Sequence, residues 1–116
     1  MKILVADDEE KIVTQLKKYL EKKKYLVDGV FDGEQALKLI KENNYDIVFL
    51  DDNMPWLTGL ELVEYIKKNN LRTKTVILTG YPCIDEKFSK MVGADEYLEK
   101  PVDLKKIDEI INKYVV

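Results

Sequence analysis

A chain of 116 residues has the length of one domain and can bury roughly two thirds of its unfolded surface. With 46 % apolar and 35 % charged residues it reads as globular rather than disordered, and no apolar run approaches the roughly 20 residues of a membrane span. A net charge of −3, Arg72 as the only Arg, no His and a single Cys83 exclude an Arg-rich nucleic-acid face, histidine metal sites, Ser-His triads, phosphohistidine on the chain itself and an internal disulfide.

The chain begins MKILVADD, which enters a strand pattern at once and lacks a signal-peptide layout; with the lone cysteine this predicts a cytoplasmic protein. Ile3–Ala6 is a short apolar run that opens onto Asp7-Asp8-Glu9-Glu10. Ile12, Val13, Leu16, Tyr19 and Leu20 recur at helical spacing. Leu26–Phe31 is a second strand, interrupted by Asp28 and Gly29, and Asp32-Gly33-Glu34-Gln35 then caps a helix with Ala36, Leu37 and Ile40 inward. Ile47–Leu50 is the most continuous apolar run; it reads as a strand buried on both faces and ends at Asp51. Asp52 and Asn53 follow, and then Met54-Pro55-Trp56-Leu57, readable as no more than a turn with an exposed aromatic. Thr58-Gly59-Leu60-Glu61 is a capping-box pattern that starts a third helix to Lys68. Thr75–Leu78 is a fourth strand ending at Thr79-Gly80, and Tyr81-Pro82-Cys83 is a turn. Ile84, Phe88, Met91 and Val92 mark a fourth helix, Tyr97-Leu98 a brief fifth strand, and Asp103 caps a last helix carrying Leu104, Ile107, Ile110, Ile111 and Tyr114.

Five strands alternate with five helices, which predicts an α/β fold with a parallel sheet and helices on both faces. The first, third and fourth strands are the most apolar and belong in the middle. The expected order is therefore 2-1-3-4-5, the flavodoxin-like (βα)5 sandwich, as a single domain over residues 1–116. In that order the carboxyl ends of the strands bring Asp7, Asp8, Asp51, Thr79 and Lys100 to one crevice. Each has an ordinary reading alone: Asp7 or Asp8 as a helix cap, Thr79 as a turn residue, Lys100 as a solvated lysine. The five together call for another. Carboxylates about 4 Å apart repel by up to ~4 kcal/mol at an effective dielectric of 20. Oxygen ligands without His or Cys suit a hard cation such as Mg²⁺. Such an ion, with Lys100 and the Thr79 hydroxyl, would position a phosphoryl group for attack by Asp51.

These residues resemble the response-regulator receiver domain of two-component systems over the whole chain. The matching motifs are Asp7-Asp8, Asp51-x-x-Met54-Pro55 with Gly59, Thr79, and Lys100-Pro101 after Gly93-Ala94. The resemblance implies a phosphoacceptor rather than a conventional enzyme. It implies phosphorylation on Asp51, Mg²⁺ held by the side chains of Asp8 and Asp51 and the backbone carbonyl of Asn53, and Asp7 acting through water or the outer shell. It further implies Thr79 and Lys100 on the phosphoryl group, Tyr97 as the aromatic switch, and a cis Lys100–Pro101 bond. The implied partners are a sensor histidine kinase or histidine phosphotransfer protein and a downstream protein target, met through the fourth helix, fifth strand and last helix. No direct nucleic-acid or membrane contact is expected. Asp52 competes for the acceptor role, but Met54-Pro55 counts from Asp51 and strand alternation turns Asp52 the other way. Tyr97 also fits a plain edge-strand aromatic. Two departures stand out: the interval from Thr79 to Lys100 is one residue shorter than usual, and Val102 replaces a common Phe. A haloacid-dehalogenase-like phosphatase is a rival reading, but it wants Asp where Asn53 stands. A flavodoxin-like cofactor binder is a second rival, but it wants a Ser/Thr/Gly-rich loop where acidic residues follow the first strand.

Overall fold

The computed structural model describes residues 1–80 and 93–114. In chain order these form β1 (Lys2–Ala6), α1 (Glu10–Lys22), β2 (Leu26–Val30), α2 (Gly33–Glu42), β3 (Ile47–Asp51), α3 (Gly59–Lys68), β4 (Lys74–Thr79), β5 (Glu96–Glu99) and α4 (Leu104–Tyr114). The predicted turn at Tyr81–Cys83 and the predicted helix carrying Ile84, Phe88, Met91 and Val92 lie outside the described residues. All strand pairs are parallel, in the order β2-β1-β3-β4-β5. The three strands richest in apolar residues are the three in the middle, as their composition requires.

Strand alternation divides the core in two. Ile3, Val5, Ile47, Phe49, Val76 and Leu78 face one way and are covered by Leu16 and Leu20 of α1 and Ile107 and Ile111 of α4. Leu4, Val48, Leu50 and Ile77 face the other way, onto Ala36 and Ile40 of α2 and Leu62 and Ile66 of α3. In β2 the polar break has a packing cause. A Cβ on Gly29 would lie 2.5 Å from Val13 Cγ1, so α1 rests directly on the strand backbone. Asp28 accepts a hydrogen bond from the Tyr45 hydroxyl at 2.7 Å.

The helix starts follow the sequence at three of four places. Asp32 Oδ1 accepts from the Gln35 N–H at 2.8 Å, and Asp103 Oδ1 accepts from the Lys105 N–H at 2.9 Å. Thr58 and Glu61 form a reciprocal capping box, each side chain accepting from the other's backbone N–H at 3.2 Å. At α1 the ordinary reading of Asp7 or Asp8 as a helix cap does not hold. Glu9 occupies the cap position without a side-chain bond, and Asp7 Oδ1 instead accepts from the Glu9 N–H at 2.8 Å, upstream of the helix.

The segment between β3 and α3 is more constrained than a simple turn. Met54 is buried in the core, and Pro55 accepts a hydrogen bond from the Gly33 N–H at 3.3 Å. Trp56 is 79 % exposed and sits at φ +73°, the left-handed region that bulky residues rarely occupy. Gly59 closes the segment against the strand end. A Cβ there would lie 2.4 Å from the Asp51 carbonyl oxygen, so the start of α3 can touch the end of β3 only because the residue is glycine. Gly59→Ala is expected to destabilise the fold by roughly 1–3 kcal/mol through overpacking. Urea unfolding should show a lower midpoint at unchanged slope; an unchanged midpoint would mean this contact yields easily.

Candidate functional site

Because every strand runs the same way, their carboxyl ends share one edge of the sheet. Asp7 follows β1, Asp51 is the last residue of β3, Thr79 the last of β4, and Lys100 follows β5. Asp52 and Lys100 each prolong the backbone pairing by one bond, from the Asp52 N–H to the Leu78 carbonyl at 3.0 Å and from the Lys100 N–H to the Thr79 carbonyl at 2.7 Å. The Lys100–Pro101 bond is cis, as the resemblance implied. A cleft of about 370 Å³ opens at this edge, lined by Asp8, Glu9, Asp51, Asn53, Gly80 and Lys100. A larger hollow of about 570 Å³ lies at the opposite end of the sheet, near Asn43, Arg72 and Lys74. Among the described residues, the one cluster of carboxylates able to hold a metal lies at the cleft.

Lys100 is the ammonium at the centre of this cluster. Its Nζ lies 2.9 Å from Asp7 Oδ2, in an ion-pair contact not aligned as a hydrogen bond, and 3.3 Å from both Asp51 Oδ1 and Glu9 Oε1. Burial works against its charge, but the contact with Asp7, the charges of Asp7 and Asp51 and the hydrogen bond to Glu9 outweigh it, so Lys100 is held above the ordinary lysine value. Asp51 is the carboxyl left short. Burial, first, and then the nearby Asp7 push it up to about 8. The Asn53 N–H, which donates to Asp51 Oδ1 at 3.2 Å, and the charge of Lys100 oppose that rise, while a hydrogen bond with Asp8 adds to it.

Asp7, Asp8 and Asp51 each offer an oxygen within 4.8 Å of the others. Asp7 and Asp51 are buried and Asp8 is exposed, and among the described residues Asp7 Oδ2 has no hydrogen-bond donor. An all-oxygen set with surplus negative charge and one open side fits a hard divalent cation.

The structure also assigns contacts that the sequence did not foretell. Glu9 joins the Lys100 cluster from the exposed side; the acidic run after β1 was visible, but only Asp7 and Asp8 were placed at the crevice. Asp52 is turned away from the carboxylate cluster, as alternation predicts, yet it is not solvated. It is 8 % exposed and accepts a hydrogen bond from the Thr79 hydroxyl at 2.5 Å. Thr79 was expected at the cleft with its hydroxyl on a phosphoryl group; here that hydroxyl is given to Asp52. Tyr97 is half-buried on β5, its hydroxyl 3.5 Å from Glu99 Oε1 at the surface.

Comparison with known proteins agrees with this geometry. The family model for the response regulator receiver domain matches residues 3–112. The transcriptional regulatory protein TctD of Salmonella typhimurium is 35 % identical over 109 residues, covering 93 % of this chain and 49 % of TctD. The alkaline phosphatase synthesis transcriptional regulatory protein PhoP of Bacillus subtilis is 38 % identical over 111 residues, covering 92 % of this chain and 45 % of PhoP. The chain thus spans about half the length of the curated relatives it matches. Among solved structures, the receiver domain of the Francisella response regulator 1452 superposes with a TM-score of 0.89 at 34 % identity, covering 97 % of this chain and 94 % of that one. The response regulator TrrA of Thermotoga maritima, solved in complex with Mg²⁺-BeF, gives 0.87 at 37 % identity, covering 98 % of each chain. Neither the phosphatase nor the flavodoxin-like reading is favoured by these matches. With a family match that begins inside the first strand and ends inside the last helix, this chain belongs to the receiver domains of response regulators.

Proposed function

We propose that Asp51 accepts a phosphoryl group from the phosphohistidine of a sensor kinase or phosphotransfer protein. The observation that supports this most is the placement of Asp51: buried at the end of β3, open to the cleft, and 3.3 Å from Lys100. An Asp51 carboxylate oxygen attacks phosphorus, the P–N bond breaks, and the imidazole leaves with the bonding electrons. An acyl phosphate remains on Asp51. Lys100 neutralises one developing charge on the phosphoryl oxygens, and the Thr79 hydroxyl donates to another. Mg²⁺, when bound, supplies the remaining neutralisation and orients the phosphoryl oxygens. Asp8 and Asp51 would hold it through their side chains and Asn53 through its carbonyl, with Asp7 in the outer shell. Water entering the same cleft would later hydrolyse the acyl phosphate, so the domain assists its own phosphorylation and dephosphorylation without being a conventional enzyme.

The phosphorylated domain, read as a single unit over residues 1–116, then signals to a downstream protein through the face around Tyr97, β5 and α4. The predicted helix before β5, the third part of that face, lies outside the described residues. Among the described residues no helix is long and apolar enough to cross a membrane. We place the reaction in the cytoplasm, where a kinase would supply the phosphoryl group. The low Arg count argues against direct nucleic-acid contact by this chain.

Incubation with acetyl phosphate and Mg²⁺ should add one phosphoryl mass, and Asp51→Asn should abolish the addition. Phosphate found on Asp52 in that variant would refute the assignment. Trp56 should report the event, because Asn53 and Trp56 share one short segment; its fluorescence should change with Mg²⁺, and further with Mg²⁺ and beryllofluoride. An unchanged spectrum with the ligands demonstrably bound would count against ordering of this segment.

The raised proton affinity of Asp51 also fixes the sign of a stability effect. The folded state holds the Asp51 proton more tightly than the unfolded state does. The contribution is full below the ordinary carboxylate range, falls as pH rises, and is gone above about 8. In EDTA, wild type should therefore lose roughly 2–5 kcal/mol relative to Asp51→Asn between about pH 4 and pH 8. Parallel stability–pH curves for the two proteins would show that Asp51 is not raised.

A further inference from the structure

We propose that Asp52 is a positioning residue: it holds the Thr79 hydroxyl away from the phosphoryl site and so biases the receiver toward its resting state. The inference rests on the phosphoacceptor reading above, and it adds a residue to which that reading gives no role.

The geometry begins at the backbone. The Asp52 N–H donates to the Leu78 carbonyl at 3.0 Å, which carries the β3–β4 pairing one residue beyond Asp51. Alternation then places the Asp52 side chain on the face opposite Asp51 and beside Thr79. Thr79 is 1 % exposed, and its Oγ1 donates to Asp52 Oδ2 at 2.5 Å. Among the described residues this is the side-chain hydrogen bond of Asp52, and its other oxygen, Oδ1, is buried without a partner there.

A threonine hydroxyl has one proton to donate, whatever else its oxygen accepts. The carboxylate of Asp52 and a phosphoryl oxygen on Asp51 therefore compete for it. Donation to the phosphoryl group leaves the Asp52 carboxylate inside the protein with neither oxygen paired. A buried charged acceptor that loses its donor pays the full cost of desolvation. The resting arrangement is thus favoured by a contact that the phosphorylated state has to give up. Weakening the acceptor at position 52 should make the active arrangement easier to reach.

A rival account is charge alone: removing Asp52 deletes one negative charge near an incoming anion. A double-mutant cycle with Thr79→Val separates the two. Beryllofluoride with saturating Mg²⁺ is the probe, and calorimetry of the full chain the readout. Asp52→Ala should bind the probe roughly 5–30-fold more tightly than wild type. Asp52→Asn, which keeps an acceptor and the shape but not the charge, should fall between them and serves if the alanine variant does not fold. In the Thr79→Val background the same substitutions should change affinity by less than about twofold. The proposal is overturned if neither Asp52 variant binds more tightly, or if the whole gain survives in Thr79→Val. Failure of wild type itself to bind beryllofluoride would instead remove the phosphoacceptor reading.

Discussion

Among the described residues, one ammonium serves three carboxylates at the carboxyl edge of this sheet, and the behaviour of the cleft follows from that shortage. Lys100 Nζ is closest to Asp7 at 2.9 Å, and equally distant from Asp51 and Glu9 at 3.3 Å. Asp7 is fully buried and has first claim on it; Asp51, also buried, is left with a proton affinity far above the ordinary carboxylate value. A buried ion pair of this kind is weak evidence of stability, since desolvation offsets much of the attraction. It is better understood as a charge imbalance that the fold holds in place. Anything that brings positive charge into the cleft relieves it, and binding to the folded state alone makes that relief a gain in stability.

Holding an unfavourable cluster in place requires a scaffold that cannot relax around it. The central strands supply this, with Ile3 to Ala6 and Ile47 to Leu50 wholly buried between two helical layers. The end of β3 is clamped further. Gly59 touches the Asp51 carbonyl, the Thr58–Glu61 box fixes the start of α3, and Gly33 binds the intervening segment at Pro55. Placing a carboxylate to within a fraction of an ångström matters for phosphoryl transfer, where positioning and charge stabilisation carry nearly all of the catalysis. The glycine and the capping box therefore belong to the function as much as to the fold.

Much of this was legible in the sequence because the underlying signals are strong. The apolar content of three runs places them in the centre of a parallel sheet, and parallel direction then gathers Asp7, Asp51 and Lys100 at one edge without further information. Caps at Asp32, Thr58 and Asp103 were readable because a side chain three or fewer residues from its partner has few alternatives. What was not legible depended on distant choices. That Glu9 would join Asp7 at Lys100 is set by the start of α1, where Glu9 itself takes the cap position. Asp52 was readable as facing away from Asp51, but alternation alone cannot say whether that face holds solvent or Thr79. Trp56 at a positive φ contradicts its own propensity, and local pattern cannot anticipate a conformation imposed by the two ends of a clamped segment.

Strand parity also sorts the site residues into two groups, and the division bears on how a local event could spread. Asp7 and Asp51 continue the faces of Val5 and Phe49, on the side of α1 and α4, and Lys100 continues that of Leu98. Asp52 continues the face of Leu50 and Thr79 that of Ile77, which looks toward α2 and α3. Tyr97 pairs with Ile77 in the β4–β5 register, so it lies on the second face too. Under the function proposed above, phosphoryl chemistry on one face would have to reach Tyr97 on the other, past the edge of the sheet. Adjacency alone does not make residues a conduit; an element with two discrete arrangements is needed. Under the proposal above Thr79 would provide one: its proton, held by Asp52 in this structure, would have a second acceptor in a phosphoryl oxygen on Asp51. A continuous deformation is resisted by so closely packed a core, whereas a proton that changes partner is a choice between two states.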